Sequence, residues 1–148
     1  MNTFSSLFLR LALGVSFLSV VADRFGMWGA FGQPNVSWGT YVRYLEYTAK
    51  LNWFMPTAAI PTLGAIATFA ETVFGILLVV GWKTRPTAWL GGALLLIFAL
   101  SMPLALGIKA PLNFSVFSAG AGAFLLAGCS RFPVSLDELM QRRTARSN

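Results

Sequence analysis

The sequence has no histidine, one cysteine and few charges: only 11% of its 148 residues are Asp, Glu, Lys or Arg. A soluble domain carries about 25% charge to keep its surface wet, so an ordinary soluble globular fold is excluded. Without histidine there is no imidazole-ligated haem, copper or non-haem iron site and no His-containing zinc site. Cys129 alone allows neither an intrachain disulfide nor a CxxC pair. No GxGxxG, P-loop, catalytic triad or paired-carboxylate arrangement is present. No metal and no covalent cofactor is therefore expected.

What the chain has instead is apolar length. Hydrophobic residues make up 56% of the sequence, and mean hydropathy is +0.68. A helical membrane crossing takes about 20 predominantly apolar residues. The segments 4–22, 61–81, 86–106 and 112–129 supply such runs. Their hydrophobicity is continuous, not striped, as expected of helices surrounded by lipid and by one another. The short links after the second and third segments make these spans antiparallel neighbours. The expected fold is an all-α membrane protein, a four-helix antiparallel transmembrane bundle in one domain. The first segment reads as a retained span, because Arg10 lies within its apolar run and no basic residue precedes it.

Orientation follows from the basic residues of the loops. Lys83, Arg85, Arg131, Arg142, Arg143 and Arg146 fall on one side, against Arg24, Arg43, Lys50 and Lys109 on the other. This bias puts both termini, and the tail 130–148, in the cytoplasm. The net charge of +6 thus reads as topology and contact with anionic lipids. A nucleic-acid role would need a soluble basic face, which the sequence does not offer. In the tail, Ser135 and Glu138 have capping-box spacing and predict a short surface helix from Leu136.

The loop 23–57 is rich in aromatics. From Trp38 to Trp53, apolar residues recur at helical steps, with Glu46 and Lys50 spaced for an ion pair on another face. An amphipathic interfacial helix is predicted in this first extracytoplasmic loop. Its Trp38, Tyr41 and Trp53 serve either as an interfacial anchor or as a lid over a lipid-soluble ligand.

Two ionisable residues lie inside the spans, Arg10 and Glu71. Each costs roughly 2.5–3.5 kcal/mol in hydrocarbon and needs a partner, water or a function. With the span ends taken as level, the two differ in depth by only about 6 Å at ~1.5 Å per residue. An Arg10–Glu71 ion pair is one expectation; the other is that Arg10 snorkels to the cytoplasmic interface and Glu71 sits protonated. Both residues are candidates for ligand or proton handling, and a buried charge that fixes helix register is the structural alternative.

Leu9-Arg10-Leu11-Ala12-Leu13-Gly14, with Phe17 and a basic Arg24 following, resembles the opening helix of the DoxX family. Glu71, Gly75 and Gly81-Trp82-Lys83-Thr84-Arg85 resemble that family's second helix and its exit loop. The resemblance runs over essentially the whole chain and implies a small four-helix protein of the bacterial inner membrane. Founding relatives belong to a membrane thiosulfate:quinone oxidoreductase, and some bacterial relatives are described as parts of membrane-associated oxidoreductase complexes. Distant animal relatives act as assembly chaperones for membrane receptors. Arg10 and Glu71 match the family's recurrent polar positions, but the family supplies no catalytic residue to carry over.

The resemblance implies a component of a quinone-linked oxidoreductase system that depends on bound quinone or a partner subunit for its redox chemistry. The alternatives are a membrane assembly factor and a small-molecule transporter, the latter requiring a homo-oligomer.

Overall fold

The computed structural model describes residues 2–147, with side chains described to Thr144. The described residues form helices and their connections, with no strand: α1 Thr3–Arg24, α2 Tyr41–Leu51, α3 Ile60–Val80, α4 Thr84–Leu106, α5 Lys109–Asn113, α6 Val116–Ala127 and α7 Leu136–Ser147. Three helical stretches are long and apolar enough to cross a membrane: α1, α3 with the 3-10 turn leading into it, and α4.

Sequence-local chemistry sets most helix ends. Asn2 caps α1 by accepting from the Ser5 amide at 2.8 Å. Thr40 caps α2 through the Arg43 amide, as favoured at that position. The interfacial-helix pattern expected from Trp38 to Trp53 yields a shorter helix, because Gly39 has φ 65° and Thr40 sets the start at Tyr41. The expected Glu46–Lys50 pair does not form; among the described residues the ion pairs are Arg24–Glu71 and Arg142–Glu138.

The segment 112–129 departs from the continuous span expected of it. Its helix ends at Asn113, Ser115 takes φ 55°, and the twelve-residue α6 begins at Val116. Hydropathy continues across this break, so apolar content alone conceals it.

The long helices associate as two close pairs, α1 with α3 and α4 with α6. At the first crossing Gly14 and Gly75 face each other, and a Cβ on either would come within 3.1 Å of the other's carbonyl oxygen. A Cβ on Gly75 would also lie 2.7 Å from Leu18 Cγ. Small residues permit this backbone approach, the main source of packing energy between helices in lipid. Gly75→Val is expected to cost about 1–3 kcal/mol through overpacking, read as a lower midpoint in thermal unfolding in detergent. An unchanged midpoint would mean that the crossing is loose.

The two pairs meet at the tail end of the molecule. There Leu13, Phe17, Leu78, Ala88, Ala123 and Leu126 form a common core. Arg10, only 1% exposed, closes this end. Its guanidinium donates to the carbonyls of Leu78 at 2.7 Å and Val79 at 3.0 Å, and to those of Val134 at 2.7 Å and Pro133 at 3.4 Å. The Leu78 and Val79 carbonyls, at the C-terminus of α3, lack intrahelical partners, and Arg10 supplies donors to them. Gly81, with φ 73°, must be glycine here, since a Cβ would stand 2.5 Å from Arg10 Nη1.

Asp137 does not merely begin α7. Its carboxylate accepts from the Lys83 and Thr84 amides, both at 2.8 Å, and so caps α4 from 53 positions away in sequence. The Ser135 hydroxyl accepts from the Glu138 amide at 3.0 Å, as the capping-box spacing predicts. Glu138 reaches back to the Val134 amide at 2.9 Å, one residue earlier than the box requires.

Candidate functional site

Away from the tail the two helix pairs diverge. They leave a cavity of about 1530 Å3 among α1, α3, α4 and α6, with loop residues over one end. Its walls are predominantly apolar. Its polar groups gather where α1 ends, and Asp23 and Arg24 organise them.

Asp23 turns the aromatic loop back over the bundle. Its carboxylate accepts from the amides of Ser37 at 2.8 Å, Gly39 at 3.3 Å and Trp38 at 3.4 Å. This pins Trp38 at the cavity. Hydrogen bonds to a charged acceptor contribute about 1.5–3 kcal/mol each, so Asp23→Ala is expected to free the loop. The check is trypsin cleavage at Arg43 and Lys50, which should accelerate at least several-fold. Wild-type protection in the variant would show that other contacts hold the loop.

Arg24, 2% exposed, forms an ion pair with Glu71, 3% exposed. It also donates to Thr68 Oγ1 at 2.8 Å. That hydroxyl gives its own proton to the Gly64 carbonyl at 2.8 Å, which leaves its lone pairs for Arg24. The guanidinium lies 3.8 Å from the Tyr44 ring centroid and 5.6 Å from that of Trp38, both within cation–π range. Arg24 Nε is buried with no hydrogen-bond partner among the described residues. Burial pushes the Tyr44 phenol above its usual value of 10, against the pull of Arg24, and raises Tyr47 in the same way. A phenol raised in the folded state loses its stabilising balance above the unfolded value, so stability should fall as pH rises beyond about 10.

The expected Arg10–Glu71 pair is not formed. The Gly14–Gly75 crossing shifts α1 against α3 by one turn from level span ends. Arg10 therefore stands beside Leu78 and Val79, about 12 Å along the axis from Glu71 at ~1.5 Å per residue. By the same register Arg24 is only about 9 Å away along the axis, within an arginine's reach.

Among the expected lid residues, Trp38 lines the cavity. Tyr41 stacks on Phe25 at 5.6 Å, while Trp53 packs on Phe54 and is 71% exposed. Sequence reading missed Asp23 and Arg24, which look like ordinary loop charges at the end of a span. The available signal was their adjacency just before an aromatic-rich loop. Comparison of the chain with known protein families, with curated proteins and with solved structures yields no match.

Proposed function

We propose that this chain is a DoxX-like, four-helix protein of the bacterial inner membrane that serves a quinone-linked oxidoreductase system and has no metal or dithiol centre of its own. The observation that carries this reading is the large apolar cavity with the Arg24–Glu71 pair at its polar end. Lipid-soluble ligands suit concave apolar walls with a few converging polar groups. The residues fit a quinone: the Tyr47 phenol and the Asn52 side-chain amide are donors among the lining residues, and quinone carbonyls are acceptors. When bound, the quinone would supply the electron-accepting chemistry. This chain would hold the ring, exclude water and leave electron delivery to a partner oxidoreductase subunit.

The fourth crossing of the proposed bundle is α6, preceded by the short α5 across the break at Ser115. Burial of Arg24 sharpens the orientation argument. Only Arg43, Lys50 and Lys109 remain as loop charges opposite Lys83, Arg85, Arg131, Arg142, Arg143 and Arg146, which favours cytoplasmic termini. The interfacial placement of α2 belongs to the same reading.

The test is gentle purification followed by solvent extraction, mass spectrometry and an assay of thiosulfate-dependent quinone reduction in membranes with and without the chain. Bound quinone and chain-dependent reduction are expected. A quinone-free protein with one stoichiometric membrane partner would favour the assembly-factor reading, which draws on the exposed Trp28, Phe31, Trp53 and Phe54 of the loop.

A further inference from the structure

The charges around the cavity narrow its ligand further than its shape does. Among the lining residues the Asp, Glu, Lys and Arg side chains are those of Asp23, Arg24 and Glu71. Arg24 is neutralised by Glu71, and Asp23 adds a carboxylate already engaged by loop amides. A phosphate-headed lipid entering here would meet one spoken-for cation and two carboxylates, an arrangement that repels anions. A cationic headgroup finds no free counter-charge, because Glu71 is paired with Arg24 and Asp23 accepts from three loop amides, and Arg24 itself occupies the aromatic seat on Tyr44 and Trp38. What remains open is hydrogen bonding to an uncharged group, through the partly exposed neutral polar lining residues at this end, Tyr47 and Asn52.

Shape supplies the other half. Along α1 the cavity is lined from Arg24 back to Leu9, about 22 Å at the ~1.5 Å rise per residue. The polar groups lie at the Arg24 end, while Leu9, Leu13, Leu94 and Leu95 line the other. Ile66 and Ile97 belong to the lining and are largely exposed, so the wall runs on into the apolar outer surfaces of α3 and α4. A ligand can therefore arrive sideways from the bilayer. We propose that the cavity selects a chain-bearing lipid with an uncharged headgroup, seated beside Arg24 and Glu71 beneath the aromatic loop, with its chain along α1 toward Leu9. This assignment rests on the reading of the cavity as a quinone site and adds the selection rule and the orientation.

Three probes with the same chain test it: a decyl benzoquinone, decylphenol and decyl phosphate. They are offered in equal amounts in phosphatidylcholine nanodiscs holding the full chain, with adducts read by native mass spectrometry. Occupancy by at least one neutral probe is expected to exceed that of decyl phosphate by about tenfold or more, the ratio that corresponds to ~1.4 kcal/mol. Ala70→Phe and Ala12→Phe both fill the cavity, and each variant that keeps the wild-type unfolding midpoint should lose the neutral adducts. Decyl phosphate at equal or higher occupancy overturns the assignment, as do neutral adducts that persist in the filled variants or a failure of every probe to bind. Benzoquinone and phosphate bound alike would overturn the charge selection and leave the quinone reading standing. Decylphenol bound without benzoquinone would support the neutral-head assignment and overturn the quinone reading.

Discussion

Arg24→Met is expected to destabilise the chain by about 3–5 kcal/mol, the cost of leaving one member of a buried ion pair uncompensated. The carboxylate of Glu71, 3% exposed, would remain in a predominantly apolar wall without its cation. The loss should be greater than that of the packing around Arg24 alone, because Tyr44, Trp38 and Thr68 would also lose their shared partner. The double variant Arg24→Met with Glu71→Leu separates these contributions. Removing both charges should recover much of the lost stability, since apolar replacement of a buried pair is often neutral or stabilising. Unfolding midpoints of wild type, both single variants and the double variant in detergent complete the cycle. A double variant as unstable as Arg24→Met would show that the arginine acts through its stacking and hydrogen bonds, not through Glu71.

Arg10→Met should have a comparable effect of about 3 kcal/mol or more, with a different local signature. Its loss removes donors from four carbonyls, in a place where each orphaned buried group costs about 1–3 kcal/mol. The segment from Arg131 to Val134 should then detach from the bundle. Trypsin cleavage after Arg131, which is exposed in the folded chain but tied down through its neighbours, is expected to accelerate by about tenfold or more. Arg24→Met should leave this cleavage unchanged, because its contacts lie at the opposite end of α1. Equal acceleration in both variants would mean that cleavage follows global unfolding and would sink the local account.

The helices were legible because hydropathy and caps are local. The spans at 4–22, 61–81 and 86–106 lie within a few residues of α1, α3 and α4, and the start of α7 follows from Ser135 and Glu138. The site was less legible. Arg10 and Glu71 stood out as charges in apolar runs, yet their partners depend on helix register, which the Gly14–Gly75 contact sets and span ends do not. Arg24 resembled solvent-facing punctuation, since its burial is created by a loop folded back through Asp23. The break at Ser115 leaves no mark in the sequence pattern, because a residue in the left-handed region need not interrupt hydropathy. Asp137 stands in the first turn of α7, and only the folded chain brings α4's first amides to it.

The union of Arg10, Gly81 and Asp137 carries a consequence for synthesis. It joins α1, the turn between α3 and α4, and a segment translated after α6. When the α3–α4 hairpin enters the bilayer, the first amides of α4 still lack their cap, and the last carbonyls of α3 share Arg10 with no tail segment. The hairpin is therefore completed only after Asp137 has left the ribosome. Chains stopped before Ser135 should insert yet stay open at one end, which makes the segment from Ser135 to Asp137 a timed seal on the helices.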